Sequence, residues 1–495
     1  MSIQLPADRW VLAAALLLIA AILASGLAQR IRMPGLLLFL GLGMVISDDG
    51  LGIFSLDDPE IAQVVGTVAL LLILYEGGLT TKPSDVRRAA APGLLLATVA
   101  VVITAAVLGG ATYLILNVDI LTALLIGAVV ASTDAAAVFA MLRRAPLPRK
   151  MSALLEVESG ANDPMAIMLT VGLIATWTES PPAGDWISFA VTQLGGGLLI
   201  GGLVGLAGSR LMLVTTLGPA GVYPVLALGV AGMSYGLAAA GGASGFLAVY
   251  VTGLIVGARV PLHRRGIRTF HEGLANTAEV GLFLMLGMLV FPSNLIGVAL
   301  PGLAIAAVLI LVARPVAVLA CLIWFNFNWR ELTFASWVGL RGAVPIFLAT
   351  FPAVAGYPDG DLIFNMVFFV VLISAVVQGM SIRTVAGWLN LTREGDVWSP
   401  VAEGIPIGDL NAELVEVRVT PNLPIAGKYL GEVMPPVGLI TTITRGPRLL
   451  IPTPRTKLKE GDLVIVAMPR RPDANKIVTA WAKGEELPDS NTEQT

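Results

Sequence analysis

Charge is scarce in this sequence. Charged residues fill 13% of its 495 positions, about half the share of a soluble domain, whereas 56% are hydrophobic. So little charge cannot coat a globule in water. A soluble protein is excluded over most of the length, and a mean hydropathy of +0.83 points to lipid. Cysteine is scarcer still. The single thiol, Cys321, lies inside an apolar run, so no disulfide framework, metal cluster or redox pair can be built, and packing is left as its part. There is no basic excess either: a net charge of −3 and a pI near 5.6 argue against a polyanionic partner, nucleic acid included. A cleavable leader is also lacking. The first apolar run, Trp10 to Leu27, has no basic start and is followed by Arg30 and Arg32 in place of a small-residue cleavage site, so it reads as a retained span.

Long apolar runs are what the chain does have. A bilayer core about 30 Å thick asks for roughly 20 apolar residues per helix, fewer where a helix is broken or enclosed in protein. Thirteen stretches qualify: 9–28, 34–47, 61–79, 90–116, 120–142, 152–177, 186–213, 220–240, 243–258, 273–291, 296–326, 332–353 and 361–389. The loops between them alternate in charge. One set carries Arg30 and Arg32, Lys82, Arg87 and Arg88, Arg143 to Lys150, Arg210, Arg259 to Arg268, and Arg330. The other set holds Asp48, Asp49, Asp57, Asp58, Glu60, Asp119, Glu179, Asp185, Asp359 and Asp361. Basic loops stay in the cytoplasm, so thirteen spans put the N-terminus outside and the C-terminus inside.

The chain also repeats itself. The run from Thr67 lies over that from Thr277, Pro92-Gly93-Leu94 over Pro301-Gly302-Leu303, and Asp134 to Phe139 over Gly342 to Phe347, at offsets 277 − 67 = 210, 301 − 92 = 209 and 342 − 134 = 208. This is a shift of seven spans, and an odd shift inverts the second copy. Two inverted repeats, 9–177 and 220–389, are the expectation for a secondary transporter, set against the general likeness of apolar helices.

Composition changes after Asn390. The expected order is a membrane domain at 1–390, a linker at 391–410, a soluble domain at 411–485 and a disordered tail at 486–495. Strand-like runs at Leu414 to Val419, Val437 to Thr444, Leu449 to Ile451 and Leu463 to Ala467, with a small helix at Ile425 to Val433, make the soluble part α+β.

Ionisable groups inside apolar spans are expensive and therefore informative. Span five holds Ser132-Thr133-Asp134, span six Glu158-Ser159-Gly160-Ala161-Asn162-Asp163-Pro164, span eleven Arg314, and span twelve Arg341 with Pro345. Glu158 and Asn162, like Ser159 and Asp163, are four apart and stack on one helix face. Pro164 withholds a donor from Gly160 and disfavours helical backbone at Asp163, and Pro345 does the same for Arg341. Carboxylate, amide, hydroxyl and freed carbonyl oxygens suit a hard cation, so Asp163, Asn162, Ser159, Thr133 and Asp134 are the candidate ligands of a monovalent cation. Burial favours the neutral form of a carboxyl group, so the same acid holds a proton when the cation leaves. Glu158 and Arg314 read as a structural ion pair. Arg341 either lines the broken helix or pairs with freed carbonyls. Glu76 and Glu279 read as structural, and His263 and His271 as solvated loop residues that titrate near neutrality.

These motifs resemble the cation:proton antiporter-1 family of NhaP-type bacterial exchangers, across about residues 9 to 390. The most specific pieces are Ser132 to Asp134, Glu158 to Asp163, Ala313-Arg314 and Leu340 to Val344. The resemblance implies a homodimer in the bacterial inner membrane, with crossed broken helices at spans five and twelve. It puts the ion-binding aspartate at Asp163, with Thr133, Ser159 and Asp134 contributing, and a Glu158–Arg314 strut. Asn162 before Asp163 is similar to the electroneutral branch. One departure stands out: many members have proline after the aspartate of span five, where this chain has Ala135. The segments Pro421 to Leu430 and Lys457 to Val466 resemble a TrkA-C domain. That pairing implies potassium/proton exchange, with a small regulatory ligand on the soluble domain, a nucleotide among the candidates. No resident cofactor and no enzymatic activity are implied.

Sodium/proton exchange stays open, because dehydration and cavity size separate the two ions and neither is visible in a sequence. A gated channel would need a carbonyl-lined filter of the T-V-G-Y-G kind, which this chain lacks. An intramembrane aspartyl protease would carry glycine directly before its aspartate, where Asp163 has Asn162. The expectation is an all-α polytopic membrane protein with a small cytoplasmic α+β domain, exchanging a cation for protons.

Overall fold

A computed structural model describes residues 15, 18–20, 22–23, 34–52, 59–81, 83–142, 147–179, 183–215, 221–260, 264–391, 404–406, 412–469 and 474–484, without 422, 436 and 447. Most of stretch 9–28, His263 and the tail 486–495 lie outside the described residues. The chain divides into two compact units, Met1–Thr392 and Arg393–Thr495.

Among the described residues the regular structure of the first unit is helical: α1 (Gly35–Ile46), α2 (Pro59–Thr80), α3 (Pro83–Ala97), α4 (Val99–Leu116), α5 (Ile120–Val129), α6 (Ala135–Leu142) and α7 (Arg149–Glu179). There follow α8 (Ala183–Ala190), α9 (Gly196–Val214), α10 (Val222–Ala240), α11 (Gly245–Arg259), α12 (Arg264–Met288), α13 (Pro292–Val308) and α14 (Arg314–Leu322). The unit ends with α15 (Trp329–Trp337), α16 (Ala343–Leu348), α17 (Thr350–Val354), α18 (Gly360–Ser374) and α19 (Met380–Trp388). Among the described residues six stretches are long and apolar enough to cross a membrane: α2, α3 with α4, α8 with α9, α10, α13 with α14, and α18 with α19. Their outer faces are apolar. Leu114, Ile296 and Leu300 are each about 80% exposed, as suits a lipid surround. Trp324, Trp329 and Trp388 are exposed at helix ends, as in an interfacial aromatic belt.

Lipid offers helices no hydrophobic reason to associate, so close backbone contact has to hold them together. Glycine supplies it here. A Cβ on Gly78 of α2 would overlap the Tyr250 carbonyl of α11, and one on Gly253 or Gly257 of α11 would overlap the Tyr75 or Leu79 carbonyl of α2. Gly201 of α9 sits equally tightly on Ala248 of α11, and Gly43 of α1 on Leu284 of α12. His271 corrects the expectation of a solvated loop residue. It lies within α12, 1% exposed, with Nδ1 2.7 Å from the Ile267 carbonyl and its ring edge-on to Tyr75 of α2. The helix starts at Arg264, earlier than the apolar run suggests, and carries His271 inside with it.

Among the described residues three π-helical turns interrupt long helices: Val191–Gly195 before α9, Leu309–Ala313 before α14 and Ala375–Gly379 before α19.

The second unit is a five-stranded antiparallel sheet in the order β1-β2-β5-β3-β4, with β1 Gly404–Pro406, β2 Ala412–Arg418, β3 Leu439–Arg445, β4 Arg448–Leu450 and β5 Leu463–Pro469. Alternation drives it: Val415 and Val417 of β2 and Val464, Val466 and Met468 of β5 point into one core with Trp481. Three details differ from expectation. Strand β1 lies in the segment read as linker. The small helix expected at Ile425 to Val433 is only a 3₁₀ turn at Leu430–Glu432, because Pro421, Pro424 and Gly427, with φ of +79°, favour turns. Helix α20 (Ala474–Lys483), unforeseen, supplies Trp481, whose Nε1 donates to the Val433 carbonyl at 2.9 Å. The turn into β5 is tied by Asp462, 0% exposed, which accepts Arg445 Nε at 2.7 Å, Arg445 Nη2 at 2.8 Å and the Lys459 N–H at 2.8 Å. Asp462→Ala leaves these donors unmet and is expected to cost about 1–3 kcal/mol. Hydrogen exchange on the full chain checks this: amides of Val464 and Val466 should lose protection while those of α7 keep theirs.

Candidate ion-binding site

Two interrupted spans meet at their breaks. The first runs from α5 to α6 across residues 130–134, the second from α15 to α16 across 338–342, and 338 − 130 = 342 − 134 = 208 reproduces the sequence offset. The Asp134 N–H donates to the Leu340 carbonyl at 2.8 Å. Arg341, 0% exposed, donates through Nη1 to the carbonyls of Ala131 at 3.0 Å and Ser132 at 2.6 Å. These are carbonyls that α5 leaves without helical donors, at the end of the helix that favours a cation. Without proline at position 135, the first break is thus satisfied by the second.

The prolines act differently from expectation. Pro345 is the third residue of α16, in the first turn, where its missing N–H costs nothing, so it follows the break instead of making it at Arg341. Pro164 lies within α7, which continues unbroken from Arg149 to Glu179. The Gly160 carbonyl still lacks its N–H donor, but packing holds the helix on both sides, as membrane helices allow.

Around the crossing the candidate residues divide into two groups. Thr133, Asp134, Ser159 and Asp163 line a cavity of about 280 Å³, far above what one water needs. Asp134 caps α6 through Oδ1, 3.2 Å from the Ala137 N–H, and Ser159 Oγ accepts the Ala135 N–H at 3.2 Å. Asn162 turns away from the cavity. Wholly buried, it donates through Nδ2 to Thr133 Oγ1 at 2.6 Å, so it orients a cavity hydroxyl. Thr133 Oγ1 in turn donates to Glu158 Oε1 at 3.3 Å. Glu158 and Arg314 form a buried, two-pronged ion pair, Nη1 on Oε1 and Nη2 on Oε2 at 3.0 Å, and Nη2 also reaches the Ala335 carbonyl at 3.2 Å. This pair ties α7 to α14 and α15.

The wall also contains side chains that the sequence reading set aside. Glu76 of α2 and Glu279 of α12, read as structural, face the same cavity, as do Glu156 of α7 and Tyr250 of α11. Glu76 and Glu279 each interrupt an apolar run, a visible signal, but only the tertiary fold shows that they point at Asp163's chamber.

The membrane unit matches one family along nearly its whole length: sodium/hydrogen exchanger, transmembrane, over residues 15–388. The chain belongs to the sodium/hydrogen exchanger family. Residues 414–472 match the TrkA-C domain. Among similar exchangers, a K(+)/H(+) antiporter NhaP from Alkalimonas amylolytica is 39% identical over 490 residues, 96% of this chain and 84% of that protein. A K(+)/H(+) antiporter NhaP2 from Shewanella baltica is 38% identical over 459 residues, 91% of this chain and 79% of its own. A Na(+)/H(+) antiporter 1 from Methanocaldococcus jannaschii is 28% identical over 356 residues, 68% of this chain and 81% of its own. The solved structure of the sodium proton antiporter MjNhaP1 from that archaeon, at 24% identity, superposes with a TM-score of 0.68 over 77% of this chain and 98% of its own, which shows a shared fold.

Within this exchanger family member the crossing leaves no slack at Gly342. A Cβ there would overlap the Asp134 carboxylate. Gly342→Ala is therefore expected to lower exchange at least about tenfold by displacing Asp134, with a clash cost of roughly 1–3 kcal/mol. Proton flux and melting temperature of the purified variant check it, and unchanged flux would remove Asp134's position from the account.

Proposed function

We propose that this chain is a secondary antiporter that exchanges a monovalent cation, potassium foremost, for a proton across the cytoplasmic membrane. One observation carries the reading. Asp163 is buried at the meeting of two helix breaks, in a chamber of oxygen ligands, and among the described residues no lysine or arginine is ion-paired with it. Its charge is left for something that moves. Proton and cation compete for one carboxylate, and alternate exposure to the two sides turns that competition into obligatory exchange. Ser159, Thr133 and Asp134 supply further oxygens, Asn162 orients Thr133, and Arg341 fixes the crossing. One site and one proton per cation make the exchange electroneutral.

Potassium is supported by the names of the similar bacterial antiporters and by the TrkA-C match. Sodium is a second reading, favoured by the archaeal relative. The same proposal places the N-terminus outside, the C-terminal unit in the cytoplasm as a regulatory domain with a small-molecule ligand, and two copies side by side in the inner membrane. Alternating loop charge supports the orientation.

Inside-out vesicles carrying the full chain and an imposed proton gradient test it. Potassium should release more protons than sodium or lithium, at a rate indifferent to membrane potential. A gradient that no cation dissipates would overturn antiport, and a voltage-dependent rate would overturn one-for-one exchange.

A further inference from the structure

Neither break explains itself. The first has alanine where a helix-starting proline would stand, and the second has its proline two residues past the helix start. The first takes its partners from the second, through the Leu340 carbonyl and the Arg341 guanidinium. The second must therefore be held from elsewhere, and two side chains of the α18–α19 span meet both of its ends. On the α15 side, the Trp337 carbonyl accepts Gln378 Nε2 at 2.7 Å. On the α16 side, the Arg341 N–H donates to Ser374 Oγ at 3.3 Å. The Ser374 hydroxyl donates to Gln378 Oε1 at 2.5 Å and closes the link. Gln378 is 1% exposed and Ser374 0%.

The π-helical turn Ala375–Gly379 contains Gln378 and directly follows Ser374. A widened turn changes the helical phase between residues within and after it and those before it, and such turns collect at functional sites. The other two behave alike: Leu309–Ala313 leads directly into Arg314, which reaches Glu158, and Val191–Gly195 contains Gln193, whose Nε2 donates to the Gly242 carbonyl at 2.9 Å. A carboxamide fits position 378 because it donates and accepts at once without charge. Leucine, similar in size, would leave the Trp337 carbonyl without this donor.

We infer that Gln378, with Ser374, is a positioning residue for exchange: it holds the second break open and, through Leu340 and Arg341, the first, and so sets where Asp134 stands beside Asp163. This rests on the antiport reading. The dependence runs one way, so the first break can be freed from it. Proline at position 135, the first residue of α6, fixes its own φ and pushes Asp134 towards extended backbone, giving that break a cause of its own. Only the N–H that Ala135 gives Ser159 is lost.

The test uses full-length protein in proteoliposomes, reading proton exchange against potassium concentration together with melting temperature. Gln378→Leu should raise the half-saturating potassium concentration about tenfold while melting falls by less than about 5 °C. Ser374→Ala, a milder change that serves if the first variant folds poorly, should raise it about threefold. Adding Ala135→Pro to either should bring the half-saturation back towards wild type, a recovery that a general loss of stability would not show. Unchanged half-saturation in both single variants, or double variants no better than the singles, overturns the inference. A wild type without potassium-evoked proton release would instead overturn the antiport reading.

Discussion

Asp163→Asn is expected to abolish cation-evoked proton release while leaving the protein folded. Asparagine matches the aspartate in shape, and α7 runs through this position without needing its charge, so the melting temperature should stay level or rise. The amide, however, cannot take up a proton, and it offers a potassium ion a dipole where the wild type offers a full charge. Each tenfold in affinity is about 1.4 kcal/mol, and losing a charge partner at close range in a desolvated chamber exceeds twice that, so the loss should be at least about a hundredfold. Proton release in inside-out vesicles, with potassium, sodium and lithium in turn, decides it. Exchange at the wild-type rate with any of them would move the carrier to another carboxylate of the chamber, with Glu279 and Glu76 the next to be replaced.

The second large effect is on stability. Arg314 and Glu158 are 3% and 1% exposed and satisfy each other. Removing either alone leaves a buried charge without its counter-charge, and Arg314→Ala or Glu158→Ala should each cost about 3–5 kcal/mol. Removing both should cost much less, because a buried ion pair exchanged for well-packed apolar groups is often neutral. Thermal unfolding of Arg314→Met, Glu158→Leu and the double variant gives the comparison. If the double change is as damaging as the sum of the singles, the pair does more than hold α7 against α14 and α15, and the hydrogen bond that Thr133 gives Glu158 becomes the first place to look.

What the sequence made legible follows from how costly each feature is. A carboxylate or guanidinium within an apolar run is too expensive to be incidental, so Asp134, Glu158, Asp163, Arg314 and Arg341 stood out, and the repeat offset placed the two breaks opposite each other. Cheap features stayed hidden. Gln378 and Ser374 are uncharged and look like ordinary polar positions in a membrane helix, and Gln378 sits in a π-helical turn that no residue type announces. The prolines misled in the other direction. Pro164 and Pro345 suggested where helices part, yet one is absorbed and the other opens a helix, since neighbours at a distance decide whether a missing N–H matters. In the soluble unit, period-two alternation exposed β2, β3 and β5. Helix α20 follows the last strand, where no period-two alternation marks it.

The glycine contacts between α2, α11 and α9 have a mechanical consequence. Backbones that touch cannot slide: the carbonyl of one helix sits in the notch of the next like a tooth, and any axial shift must first lift it out. Under the antiport proposal these three helices are the natural fixed body, and a rocking motion falls to helices that meet them through side chains, α7 with Asp163 among them, where the Tyr250 ring rests on Gly160. The stroke would then be set by how far α7 can travel over that ring, not by how far the whole bundle can bend.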